Sequence, residues 1–181
     1  RLLLSTALLP EGMAGDGSYV ATRVGLLSAM GDSKSVSQLL EATPGRAQID
    51  RLVRYEADAR FLANDNARAC SLAAGQIINE SSIYWQKAFI FCQALAGEHD
   101  KAALGVSLLQ DSGYDDNAFY TLVETLAGNP ENILSLPDPS PIHLSMARVT
   151  NTQLPNDVVS SNHPGVLRTI AISPNASVEI R

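Results

Sequence analysis

Three observations predict an all-α fold, an α-solenoid built from antiparallel helix hairpins. First, the turn signals Gly31-Asp32, Asn64-Asp65 and Gly97-Glu98 fall 33 residues apart. Second, each follows apolar positions in helical phase. Tyr19, Leu52 and Trp85 share one phase, Leu26, Ala59 and Cys92 lie seven residues later, and Ala29, Leu62 and Leu95 three beyond that. Steps of three, four and seven place such side chains on one helix face. Third, a shorter stripe follows each turn: Val36, Ala69 and Ala102, then Leu40, Ala73 and Val106. A single hairpin cannot bury its stripes alone, so neighbouring units must stack.

The elements follow in order. Leu2–Leu9 (LLLSTALL) reads as the end of a helix that starts upstream, stopped by Pro10. Gly12–Gly17 (GMAGDG) reads as a flexible linker. Helical hairpin repeats then occupy 18–128. At each tip Gly or Asn supplies the left-handed residue that ends the first helix, and the acid after it favours the N-terminus of the second. Asp115-Asp116 caps a further helix, Asn117–Ala127, which ends at Gly128-Asn129-Pro130. The partner helix expected next is lost in a Pro-rich loop at 129–141, where Pro137, Pro139 and Pro141 forbid a long helix. Residues 142–181 read as shorter helices continuing the stack: Ile142–Val149, Asn156–Ser161 and Gly165–Ile172. Ser177–Arg181 reads as the opening of another helix, and both ends read as cuts within a longer chain.

Composition narrows the function classes. The 181 residues are 45% hydrophobic and 18% charged, which suits a packed core and not intrinsic disorder. A net charge of −6 argues against nucleic acid and anionic membrane surfaces, both of which select a clustered basic face. No apolar run approaches the ~20 residues of a membrane-spanning helix. Ten arginines against three lysines, with abundant Ala, suggest a bacterial source.

Gly97-Glu98-His99-Asp100-Lys101-Ala102, with Trp85 upstream, resembles the tetratricopeptide repeat, in which a Gly-Asp turn precedes an Ala where two helices cross closely. Ala69 and Ala102 match that crossing position, and Val36 is a larger variant. The resemblance covers residues 18–110 and is degenerate: Trp85 stands one position early and no Pro closes each unit. It implies a right-handed superhelix whose first helices line a concave groove for a peptide. Leu167-Arg168-Thr169-Ile170-Ala171 with Pro174-Asn175 resembles a HEAT-type repeat.

No constellation for catalysis appears. Gly-x-Ser-x-Gly, a P-loop, HExxH and clustered Cys/His are all missing. His99, His143 and His163 lie far apart and read as surface histidines near caps. The expectation is therefore a non-enzyme with no cofactor, no metal and no small-molecule substrate. Cys70 and Cys92 fall at similar heights on adjacent helices around a turn at Asn79–Ser82. They read either as a disulfide, which would point to the periplasm and away from the cytoplasm, or as two small buried thiols. The sequons at Asn79 and Asn175 carry little weight without a secretory signal.

The aromatic cluster Tyr84, Trp85, Phe89 and Phe91 is the richest in the chain. Trp85 and Phe89 read as core, whereas Tyr84 and Phe91, seven apart, share another face open to a peptide. Arg54 and Lys87 stand at one repeat phase and read as a basic ridge for a partner carboxylate. The expected function is a protein- or peptide-binding scaffold module of a larger bacterial protein, with Arg54, Lys87, Tyr84 and Phe91 at the contact. The alternative is a non-catalytic structural domain that positions another part of the same polypeptide in an envelope-associated assembly.

Overall fold

A computed structural model describes residues 18–177 and 179–180. The expected upstream helix at 2–9 and the linker at 12–17 lie outside the described residues, as do Val178 and Arg181 of the expected terminal helix. The described chain is all-helical, with no strand among those residues. Its helices are α1 (Ser18–Ala29), α2 (Ser33–Glu41), α3 (Asp50–Leu62), α4 (Asn66–Gln76), α5 (Ile83–Leu95), α6 (His99–Asp111), α7 (Asn117–Leu126), α8 (Pro141–Thr150) and α9 (Pro164–Ala171).

The 33-residue register is visible in the backbone. Helices α1, α3 and α5 end at Ala29, Leu62 and Leu95, and α2, α4 and α6 begin at Ser33, Asn66 and His99. Between them Gly31, Asn64 and Gly97 adopt φ of 71°, 61° and 78°. Each turn closes the same way: the N–H of Asp32, Asp65 and Glu98 donates to the carbonyl of Leu27, Arg60 and Gln93 at 3.0, 2.8 and 2.9 Å. This is the six-to-one bond that terminates a helix through a left-handed residue. The acids after the tips differ in use. Asp32 accepts from the Ser35 N–H at 3.1 Å, whereas Asp65 and Glu98 make no side-chain cap.

In the second helices the buried stripe falls where the spacing predicts. Val36, Ala69 and Ala102 are buried, as are Leu40, Ala73 and Val106. In the first helices it does not. Leu52 and Trp85 are buried, but Tyr19, Leu26 and Leu95 are exposed, and the common buried phase is Val24, Ala57 and Ile90. The reason is that the first helices have neighbours on several sides. Helix α5 packs on α4, α6, α7 and α8, so burial is set by more than one contact line.

Consecutive helices pack on one another from α1 to α8, except that α6 meets α7 only lightly. The residues after α7 take a different course. The segment 127–140 forms no helix, and Asp157 anchors it, accepting from the Leu136 N–H at 2.9 Å and the Ser135 hydroxyl at 2.6 Å. Helix α8 then packs on α3 and α5 as well as α7, and α9 packs on α8 and α1. The expected continuation of the stack thus runs back over earlier helices. Gly31 and Gly165 meet backbone to backbone there: a Cβ on Gly31 would stand 2.6 Å from the Gly165 Cα. Short 3-10 turns complete the chain. One at Arg46–Gln48 was not expected, and another at Asn156–Ser160 replaces the helical piece expected at 156–161.

Candidate functional site

The residues expected to meet a partner lie on α3 and α5, and the structure places them beside α8. Phe91 is fully buried, its ring 5.7 Å from that of Phe61, while Phe89 is only half-buried. Phe91 is thus interior where an open face was expected, because Phe61 of α3 packs against it, and Phe89 is less buried than a core position. Trp85 is core as expected, with its indole N–H donating to Glu80 at 3.0 Å.

Lys87 is also buried. Its ammonium pairs with Asp116 at the start of α7 and lies 3.4 Å from His143 Nε2 on α8. The ammonium also faces the ring of Phe119 at 4.9 Å and that of Tyr114 at 5.5 Å. Its charge is thus taken up inside the fold and does not extend a basic ridge from Arg54. His143, expected at the surface, is 5% exposed. It does stand near a cap: Ser140 accepts from the His143 N–H at 3.3 Å, and the Ser140 N–H donates to His143 Nδ1 at 3.1 Å. With Nδ1 accepting, Nε2 carries the proton and donates to Asp116 at 3.1 Å. His99 and His163 are exposed, as expected.

Burial pushes the His143 imidazole below its ordinary range, with Lys87 adding to the effect and the Asp116 hydrogen bond opposing it. Burial would raise the Asp116 carboxyl, but the hydrogen bonds and charges of His143 and Lys87 outweigh it and hold the group well below the usual carboxylate range. Asp116 also caps α7, accepting from the Phe119 N–H at 3.1 Å. One carboxylate therefore joins three helices: it starts α7, neutralises α5 and receives α8. Sequence reasoning found the cap. The ion pair left no local signal, because its members lie 29 and 27 residues apart.

Arg54 is the exposed member of the expected set. Its guanidinium lies 4.4 Å over the Tyr84 ring, and the Tyr84 hydroxyl donates to Asp58 at 2.8 Å. Desolvation lifts the Asp58 carboxyl to about 6, against the Tyr84 hydrogen bond and the Arg54 charge, and burial also raises the Tyr84 phenol. Arg54 and Asp58 border a cavity of about 450 Å³ whose lining also includes Tyr55, Ser140, His163 and Gly165. Its polar lining offers a cation and a carboxyl raised by burial one helical turn apart, which can hold a hydrogen-bonding or charged group.

Cys70 of α4 and Cys92 of α5 are joined as a disulfide with a Cα–Cα separation of 5.5 Å. Among the described residues no group of three or more His, Cys, Asp or Glu could hold a metal ion, and no helix is long and apolar enough to cross a membrane. Fold and site together define an all-helical protein whose α8 packs back on α3 and α5. Comparison with protein-family models, curated proteins and solved structures finds no match to this chain.

Proposed function

We propose that the chain is a protein- or peptide-binding scaffold module of a larger bacterial protein, a degenerate tetratricopeptide-like solenoid of antiparallel hairpins with right-handed twist. The shared 33-residue register of its helix ends supports the architecture. The binding reading rests on one observation: the cavity beside α3, where Arg54 is exposed against Tyr84 with Asp58 behind it. Part of the first-helix face already receives a helix, since α8 packs on α3 and α5, and its polar side chains find partners around the α3–α4 turn. Ser145 donates to Asn66 at 2.7 Å and Arg148 to the Leu62 carbonyl at 3.3 Å. A surface that accepts one helix of the chain has the chemistry of helix-in-groove recognition, and a partner reaches it at the Arg54 end.

The test is selection of peptides from a displayed library on the 181-residue chain, followed by measurement of their affinity for Arg54→Glu. Peptides that carry an acidic group and bind Arg54→Glu at least ~10-fold more weakly support the reading. Charge reversal at Lys87 is unsuitable, because that buried ammonium holds Asp116. Equal affinity for the wild type and Arg54→Glu would sink the cavity assignment. The second reading is a structural domain that positions another part of its polypeptide. It is favoured by the burial of Phe91 and of Lys87, the latter against His143 of α8, and it expects no peptides to be selected.

A further inference from the structure

The outer face of α6 differs from those of α2 and α4. Leu104 and Leu108, one turn apart, are 63% and 60% exposed. At the same repeat phase the α4 helix carries Ser71 and Gly75, and the α2 unit carries Gln38 and Ala42, all exposed. Two large apolar side chains therefore stand where the earlier units are small or polar. Helix α6 is also the last second helix of the regular register. The segment after α7 forms no helix before α8, and α8 packs on α3, α5 and α7.

We infer that this face of α6 pairs with the same face of a second copy of the chain, the two helices running antiparallel. Lys101, Leu104, Leu108 and Asp111 are spaced three, four and three residues apart, the alternation that keeps side chains on one seam between two wrapped helices. An antiparallel pairing centred on residue 106 sets Leu104 of each copy opposite Leu108 of the other. The same register sets each Lys101 opposite an Asp111, so two opposite-charge pairs close the ends of the apolar seam. A parallel pairing would instead set lysine against lysine and aspartate against aspartate. The charges thus select the antiparallel register as well as contributing to it. Lys101 pairs with Glu98 at 2.9 Å within the chain, but both are exposed, and an exposed pair is readily exchanged. Ala103 and Ser107 beside the seam are exposed and small, so they leave room for close approach.

An interface resting on one helix pair is at the small end of protein–protein contacts, so the dimer is a weak one. Sedimentation equilibrium of the 181-residue chain from ~1 μM to ~1 mM should show a monomer–dimer equilibrium. Leu104→Asp with Leu108→Asp should raise the dissociation constant at least ~10-fold. Both positions are exposed, so an unchanged far-ultraviolet circular dichroism spectrum and unfolding midpoint will show that the variant folds. Lys101→Asp alone should weaken the dimer, and Lys101→Asp with Asp111→Lys should restore it. A chain that stays monomeric throughout this range overturns the proposal, and so does a dimer indifferent to the leucine substitutions. Failure of the charge exchange to restore association overturns the antiparallel pairing.

Discussion

Asp116, Lys87 and His143 show how much three side chains from separate helices can carry. The ammonium and carboxylate are almost out of water, so removing one leaves the other without compensation. Lys87→Met should lower the unfolding free energy by about 3 kcal/mol in urea titration, and Lys87→Met with Asp116→Asn should recover much of that loss. Equal destabilisation by the single and double variants would show that the lost packing of the lysine stem, and not the orphaned charge, sets the cost. The cluster also fixes a pH dependence. His143 is depressed in the fold, so its contribution is fully present above the unfolded value of 6.5 and is lost as pH falls below it. Asp116, likewise depressed, contributes above 3.8 and is lost as pH falls further. Asp58 has the opposite sign. Its carboxyl is raised from 3.8 to about 6, so the fold is favoured below 3.8 and loses that advantage as pH rises through about 6. Asp58→Asn keeps an acceptor for Tyr84 and removes the charge. It should stabilise the chain by about 1–2 kcal/mol at neutral pH and flatten the stability profile between pH 4 and 6. Parallel profiles for wild type and variant would refute the assignment.

At the scale of elements, the helix pairs are joined by turns of one design, yet those turns do different work. Gly97 has φ of 78° and open space around a would-be Cβ, whereas Gly31 has φ of 71° and presses on Gly165 in the first turn of α9. Gly97→Ala should cost about 1 kcal/mol, the strain of a left-handed alanine alone. Gly31→Ala should cost clearly more and should speed amide exchange in α9, because it pushes α9 from α1. Equal costs at the two glycines would contradict this docking. The disulfide ties α4 to α5 across a separation of 22 residues. Replacing both cysteines by Ala should lower stability by about 3 kcal/mol through the freedom returned to the unfolded chain, read from thermal or urea unfolding. Asn175 belongs to this scale too. Although it begins a glycosylation sequon, it is buried and donates to the carbonyls of Ala147 and Thr152 at 3.2 and 3.1 Å, holding the segment after α9 against the end of α8.

For the whole molecule, the main core is continuous from α3 through α8 and α9, including Phe61, Trp85, Phe91, Phe119, Met146 and Ile170. A smaller cluster joins α1 and α2 to Leu52. The C-terminal third is therefore part of the main core and not an appendage to a finished stack. A chain ended at residue 140 should expose the faces of α3, α5 and α7, bind an apolar dye and lose cooperative unfolding. A synthetic peptide of residues 140–176 added in trans should reverse these changes. If the shortened chain unfolds as cooperatively as the intact one, α8 contributes little to the core.

The local elements were legible because their causes are local. A left-handed residue at 31, 64 and 97 ends one helix wherever the chain goes, and the next begins two residues later. Val36, Ala69 and Ala102 lie on a helix buried along one line, so periodicity alone located them. Asp116 and the prolines from 137 to 141 likewise acted on their immediate neighbours. What tertiary structure decided is the path after α7, and with it the fate of the expected binding face. Prolines say where a helix cannot run, but no spacing says that α8 packs on α3. Lys87 and His143 became interior groups through that long-range choice, and Phe91 through its contact with Phe61 of α3. Arg54 remained at the edge of a cavity for the same reason, since burial is a property of the elements that meet at a residue and not of the residue's own sequence neighbours.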